Sequence, residues 1–185
     1  IIPAGNPYRG ATGEPGEAYW QNRADYTIDA SLDDKQNLIH GTATISYINN
    51  SPQTLPYLWL QLDQNAFRKH SKALGSQLTI DSSEIKTHNK FIGGYEIQLV
   101  EIINDDAKQT KNKDASYLIN DTQMQIFLSE PLQSGEKITF KIKYSYTIPE
   151  HFQSTFGGNR TDILPTRNGA IYSIAQWYPR LCVLD

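Results

Sequence analysis

Apolar and polar side chains alternate with a period of two along most of this chain. Ala24, Tyr26, Ile28, Ala30 and Leu32 fall on one side of an extended backbone, and Asp25, Thr27, Asp29 and Ser31 fall on the other. Such alternation marks a strand with one buried face. Asp33-Asp34-Lys35-Gln36-Asn37 supplies turn residues, and the alternation resumes through Ala43, Ile45 and Tyr47 against Thr42, Thr44 and Ser46. Two alternating runs joined by a short polar link predict an antiparallel pair over 24–32 and 38–48. The longest regular run comes later. Ile138, Phe140, Ile142, Tyr144, Tyr146 and Ile148 alternate with Lys137, Thr139, Lys141, Lys143, Ser145 and Thr147. Met124, Ile126 and Leu128 form a shorter run ahead of it, with a turn at Pro131-Leu-Gln-Ser-Gly135 between them.

Other segments depart from simple alternation. Tyr57-Leu-Trp-Leu-Gln-Leu62 carries bulk on both faces, which predicts a strand buried on both sides. Residues 63–76 fit either an extended loop or a short helix. Leu78 to Thr87 and Tyr95 to Ile103 read as strands joined by a tip at Gly93-Gly94, and Gly169 to Ala175 as a final strand. Residues 104–116 are polar and charged and read as a solvated loop. Residues 149–168, with Gly157-Gly158 and Pro165, read as a second long loop.

Eight or more short strands without a convincing helical period predict an all-β fold, either a β-sandwich or one large antiparallel sheet. Residues 1–18, rich in Gly and Pro, form an extended lead-in, and 19–185 form the body. The last stretch, Tyr172 to Asp185, is apolar and aromatic-rich. Such a run needs a cover, so the expectation is a front domain whose parent continues into a second domain packed here.

Composition narrows the function classes. Seventeen basic and twenty acidic side chains leave a net charge of −3, which argues against a general binder of nucleic acid. No run approaches the roughly 18 apolar residues of a membrane span. Cys182, the single cysteine, sits among Leu181, Val183 and Leu184 and reads as a small buried hydrophobe. The chain opens Ile-Ile-Pro-Ala-Gly. The expectation is a removed N-terminal segment, which leans toward an exported protein while leaving the compartment open.

Catalytic constellations are missing from the pattern. His40, His70, His88 and His151 form no i, i+4 pair, and no Cys-x-x-Cys exists, so neither common zinc motif is present. There is no nucleophile elbow and no phosphate-binding glycine loop. Asp33-Asp34 and Asp105-Asp106 lie in turns, where carboxylates stay solvated. We expect no catalytic residue, no metal ligand and no cofactor in this chain. Tyr26, Tyr47, Tyr144 and Tyr146 fall on apolar strand faces and read as core. Trp20, Trp59 and Trp177 leave open a carbohydrate-binding face.

Two segments carry a family resemblance. One is Tyr19-Trp-Gln-Asn-Arg-Ala-Asp-Tyr-Thr-Ile-Asp-Ala-Ser-Leu-Asp-Asp, leading into His40-Gly-Thr-Ala-Thr-Ile-Ser-Tyr-Ile-Asn-Asn-Ser-Pro and Leu58-Trp-Leu-Gln-Leu-Asp-Gln-Asn; the other is Ala175-Gln-Trp-Tyr-Pro-Arg. Together they resemble the N-terminal domain of bacterial aminopeptidase N-type zinc metallopeptidases, the gluzincins. The resemblance implies a saddle-shaped β domain beside a thermolysin-like catalytic domain, which is its partner in the same chain and holds the zinc. It also implies a peptide substrate bound through the parent. Gln176 matches the position whose side chain helps hold the substrate's free α-amine. Trp177 and Tyr178 would then lie at the domain interface. The alternative is a non-catalytic β-sandwich serving as a binding or scaffold module.

Overall fold

The computed structural model describes residues 4–72, 91–103, 113–150 and 161–184. The region 78–87, His88, Asp105-Asp106, His151 and Gly157-Gly158 lie outside these residues. The fold is all-β. In chain order the described strands are β1 (Arg23–Asp33), β2 (Leu38–Ile48), β3 (Leu55–Gln61), β4 (Glu96–Ile103), β5 (Lys113–Asp114), β6 (Ser116–Asn120), β7 (Gln123–Leu132), β8 (Lys137–Thr147), β9 (Thr161–Thr166), β10 (Gly169–Ile174) and β11 (Arg180–Leu181). A 3-10 turn over Asp63–Phe67 follows β3.

The strands form a five-stranded sheet in the order β1-β2-β8-β4-β5, a four-stranded sheet in the order β11-β3-β7-β6, and the hairpin β9–β10. All their pairings are antiparallel. β1 and β2 pair through eleven consecutive positions without a shift. Their turn is closed by Asp33, whose Oδ1 accepts from the Lys35 and Gln36 amides, and by Asn37 in the left-handed region at φ 55. Asn tolerates this conformation better than most side chains.

One apolar cluster takes side chains from both larger sheets, as in a sandwich. The alternating run in β8 buries Phe140, Ile142, Tyr144 and Tyr146, with Ile148 just beyond it, and β2 adds Ile39, Ala43, Ile45 and Tyr47. From the smaller sheet come Leu58, Leu60, Met124 and Ile126. Gly41 faces Tyr144 so closely that any Cβ there would overlap the phenol ring, so the absent side chain makes room for the aromatic.

Four expectations need correction. β3 is buried on one face only: Tyr57 and Trp59 are 41% and 37% exposed, because no layer covers the outside of the four-stranded sheet among the described residues. On β1, only Tyr26 and Ile28 of the apolar series are half-buried; Ala24, Ala30 and Leu32 are exposed, as befits an edge strand. The expected loop 104–116 contains β5 and leads directly into β6, which pairs with β7. The expected loop 149–168 contains β9, held by β10. Short strands without long alternation take their identity from a partner, which for β6 and β9 is the strand that follows directly across a tight turn.

Candidate functional site

The two segments that carry the family resemblance meet in space. The 3-10 turn after β3 contributes three consecutive polar side chains, each with a different task. Asp63 Oδ2 receives Arg180 Nη2 at 2.8 Å and Arg180 Nε at 3.2 Å. The same carboxylate raises the Arg180 pKa. Buried Asn65 accepts the Tyr95 amide on Oδ1 at 2.9 Å and donates to the Asp121 carbonyl at 2.9 Å. Between them, buried Gln64 points its Nε2 at the segment before β11. It donates to the carbonyls of Ala175 and Gln176 at 3.2 Å each and lies 3.4 Å from Thr161 Oγ1. A 3-10 turn presents successive side chains about 120° apart, which lets neighbouring residues serve three different partners.

Gln176 is the centre of this clamp. Its backbone sits in the left-handed region at φ 52, a conformation that costs a non-glycine residue on the order of 1 kcal/mol. Its carbonyl receives Tyr95 Oη at 3.1 Å as well as Gln64 Nε2. Thr161 Oγ1 donates to the preceding carbonyl, of Ala175, at 3.1 Å. The turn is therefore determined by its surroundings, and the strain is held by buried donors from three remote parts of the chain. The Gln176 side chain is half-buried and its amide makes no hydrogen bond among the described residues. What the arrangement offers chemically is a rigidly based carboxamide with both donor and acceptor capacity.

Tyr95 lies at the heart of the core with its ring edge-on to Tyr144 and Tyr146, at 5.5 and 5.3 Å. Burial raises the pKa of all three phenols above the ordinary tyrosine value, so Tyr95 is a neutral donor to Gln176. The hydroxyls of Tyr144 and Tyr146, and Gln64 Oε1, are buried without a hydrogen-bond partner among the described residues.

Trp177 and Tyr178 pack partly against this chain's own core. Their rings stack edge-on at 5.2 Å, and Tyr178 meets Tyr26 at 5.5 Å. Tyr26 Oη accepts the Leu181 amide at 2.9 Å, and Cys182 N donates to Trp59 O at 2.8 Å, tying the terminal segment to both sheets. Cys182 is half-buried, and burial pushes its thiol up, away from thiolate reactivity. Trp20 is half-buried beside a groove of about 350 Å³ with Tyr19, Asn22 and Leu181. Trp59 stands on the open face with Tyr57 and Phe127.

Gln64, Tyr95 and the Asp63–Arg180 pair were not singled out by sequence pattern. Gln64, Asp63 and Arg180 had one signal, membership of the resembling segments, and Tyr95 had only its place at the start of an expected strand, since a hydrogen bond spanning 112 positions, as between Gln64 and Gln176, leaves no periodic trace. No group of three or more His, Cys, Asp or Glu suited to a metal ion exists among the described residues. No helix among them is long and apolar enough to cross a membrane.

No family model and no curated relative matches the chain. Among solved structures, it is similar to an M1 zinc metallopeptidase mutant from Deinococcus radiodurans bound to a Tyr-Ser-Ala substrate, at 13% identity and a TM-score of 0.44, over 83% of this chain and 25% of that one. A two-domain M1 zinc metallopeptidase mutant bound to L-tryptophan gives 11% identity and a TM-score of 0.43, over 75% of this chain and 23% of that one. The chain thus spans about a quarter of the structures it matches. Values this low assign no activity.

Proposed function

We propose that this chain is the substrate-side β domain of a zinc aminopeptidase-like metallopeptidase. In this reading Gln176 accepts a hydrogen bond from the free α-ammonium of a peptide, and Trp177 and Tyr178 keep their open sides for the catalytic domain of the same parent. The observation that carries the reading is the clamp on Gln176: strained backbone, two buried donors on its carbonyl, and a side-chain amide left without a partner among the described residues. Strain maintained by surrounding structure is a mark of functional positions. A carboxamide oxygen is a suitable acceptor for an ammonium, and it adds no charge that would have to be desolvated. The residues described here do not fit a zinc site. In this reading the zinc is held by the catalytic domain of the parent, as the resemblance implies.

The test is Gln176→Ala in the full-length parent. A charge-assisted hydrogen bond in a partly dehydrated cleft contributes on the order of 1.5–3 kcal/mol. The expected result is a loss of roughly 10- to 100-fold in kcat/KM on peptides with a free N-terminus, and a smaller loss on N-acetylated peptides, which lack the cation. An equal loss on both, or none, removes Gln176 from the site.

A second reading, a non-catalytic binding module, is favoured by the open aromatic face of Tyr57, Trp59 and Phe127. It predicts that Trp59→Ala abolishes binding of a partner or glycan while the Gln176 variant leaves it intact.

A further inference from the structure

β1 is the outermost strand of the five-stranded sheet. Natural proteins protect such edges with short strands, bulges, prolines or lysines. Charged side chains serve the same end, and of all these devices β1 has only the charges of Arg23, Asp25, Asp29 and Asp33. It runs eleven residues, contains no Pro or Lys, and keeps unbroken register with β2. Along its other edge, alternate residues direct N–H and C=O outward. Among the described residues no backbone group outside the β1–β2 ladder pairs with them. Ala24, Ala30 and Leu32, on the apolar side of the same strand, are exposed.

The edge carries a charge pattern. Asp25, Thr27, Asp29, Ser31 and Asp33 share the wet face of β1. The adjacent positions of β2 are Ser46, Thr44, Thr42 and His40. Lys137, Lys141 and Lys143 stand on β8, one strand further in, Lys113 stands on β5 at the opposite edge of the sheet, and Lys141 is paired with Glu101 at 3.0 Å. Of the β1 acids, Asp25 has exposed Arg23 as a partner at 2.9 Å, and Asp33 caps its own turn. Asp29 has no ion pair among the described residues. On the opposite face Tyr26 and Ile28 are half-buried and present apolar surface at the rim of the core.

We propose that the free edge of β1 docks an extended basic segment by strand addition, with Lys or Arg side chains against Asp25 and Asp29 and an apolar residue against Ile28 and Tyr26. The peptide's backbone completes the ladder, and the charges choose its sequence. A second copy of this chain meets its own carboxylates when the pairing centres on Thr27, Ile28 or Asp29; centred on Tyr26 it sets Arg23 opposite Asp29, so it is the competing occupant that the experiment below tests. Antiparallel self-pairing about Thr27 sets Asp25 opposite Asp29, and pairing about Asp29 sets that residue opposite itself. Pairing about Ile28 leaves the carboxylates as diagonal neighbours. Directly opposed like charges destabilise a sheet pair.

The experiment measures fluorescence anisotropy of a labelled peptide containing Lys-Val-Thr-Val-Lys, titrated with this chain at low ionic strength. The controls are Glu-Val-Thr-Val-Glu and a form of the lysine peptide N-methylated at alternate backbone amides. The lysine peptide is expected to bind, and to bind more weakly as salt rises. Asp29→Lys should weaken it by about tenfold, with the variant's thermal melt showing that it folds. The glutamate peptide should fail, and one of the two alternate N-methylation patterns should abolish binding, whichever removes the ladder donors. Equal binding of lysine and glutamate peptides, or indifference to both N-methylation patterns, overturns the proposal without relying on any protein variant. So does a concentration-dependent dimer abolished by Asp29→Lys.

Discussion

Paired substitutions at Gln64 and Tyr95 probe the clamp that holds Gln176. The Gln176 carbonyl has two donors, Gln64 Nε2 at 3.2 Å and Tyr95 Oη at 3.1 Å. Tyr95→Phe removes one of them and leaves the other in place, so the cost is one net hydrogen bond, about 0.5–1.5 kcal/mol. Gln64→Met keeps an unbranched chain of similar length and removes donation to Ala175, Gln176 and Thr161. Those contacts are long, and Ala175 keeps Thr161 as a donor, so the gross loss is about 1–2 kcal/mol. Against it stands Gln64 Oε1, which is buried with no partner among the described residues. Deleting such an orphan acceptor returns about 1–3 kcal/mol, so Gln64→Met alone is expected to be nearly neutral. Together the two changes strip the Gln176 carbonyl of both donors while its strained backbone remains. The double variant should therefore lose about 1–2 kcal/mol beyond the sum of the singles. Urea unfolding followed by tryptophan fluorescence, read as midpoint shifts at constant m, measures all four corners of the cycle. Additivity within about 0.5 kcal/mol would refute the shared-carbonyl argument.

Further outcomes follow from the core. Phe140→Ala should cost about 3–5 kcal/mol, since the ring is fully buried; Lys141→Ala should cost at most about 1 kcal/mol, the worth of its ion pair to Glu101 near the surface. Similar losses in the two urea curves would contradict the facing of β8. Gly41→Ala should cost about 1–3 kcal/mol by forcing a methyl into the Tyr144 ring, and an unchanged thermal melt would show that the ring moves freely. Burial raises the pKa of Tyr95, Tyr144 and Tyr146 above the ordinary 10.0. The native state therefore keeps protons that the unfolded chain releases above pH 10, so stability is intact below that pH and falls above it. The slope is about 1.4 kcal/mol per pH unit for each of the three. Urea midpoints on both sides of pH 10 test this, Tyr146→Phe should flatten the slope, and constant midpoints would refute it.

Sequence alone determined the strands that alternate over many residues. β1, β2, β7 and β8 could be read directly because a period of two commits each side chain to one face before any partner is known. The inward faces of β2 and β8 followed from the same rule, as did the turn at Asp33–Asn37, whose geometry is local. What the tertiary structure decided is whether a face that can be buried is buried. Tyr57 and Trp59 look like core in sequence and stand open because the four-stranded sheet has no outer layer among the described residues, whereas Ala24 and Leu32 lie bare because β1 ends its sheet. β6 and β9 are strands by virtue of β7 and β10, their ladder partners, and neither has a long alternation of its own. The candidate site divides the same way. Gln176 was named from a resembling segment, yet its left-handed turn is held by Gln64, Tyr95 and Thr161, which fold closure brings together. A hydrogen bond between residues 112 positions apart depends on the packing of the whole domain, and local pattern carries no record of it.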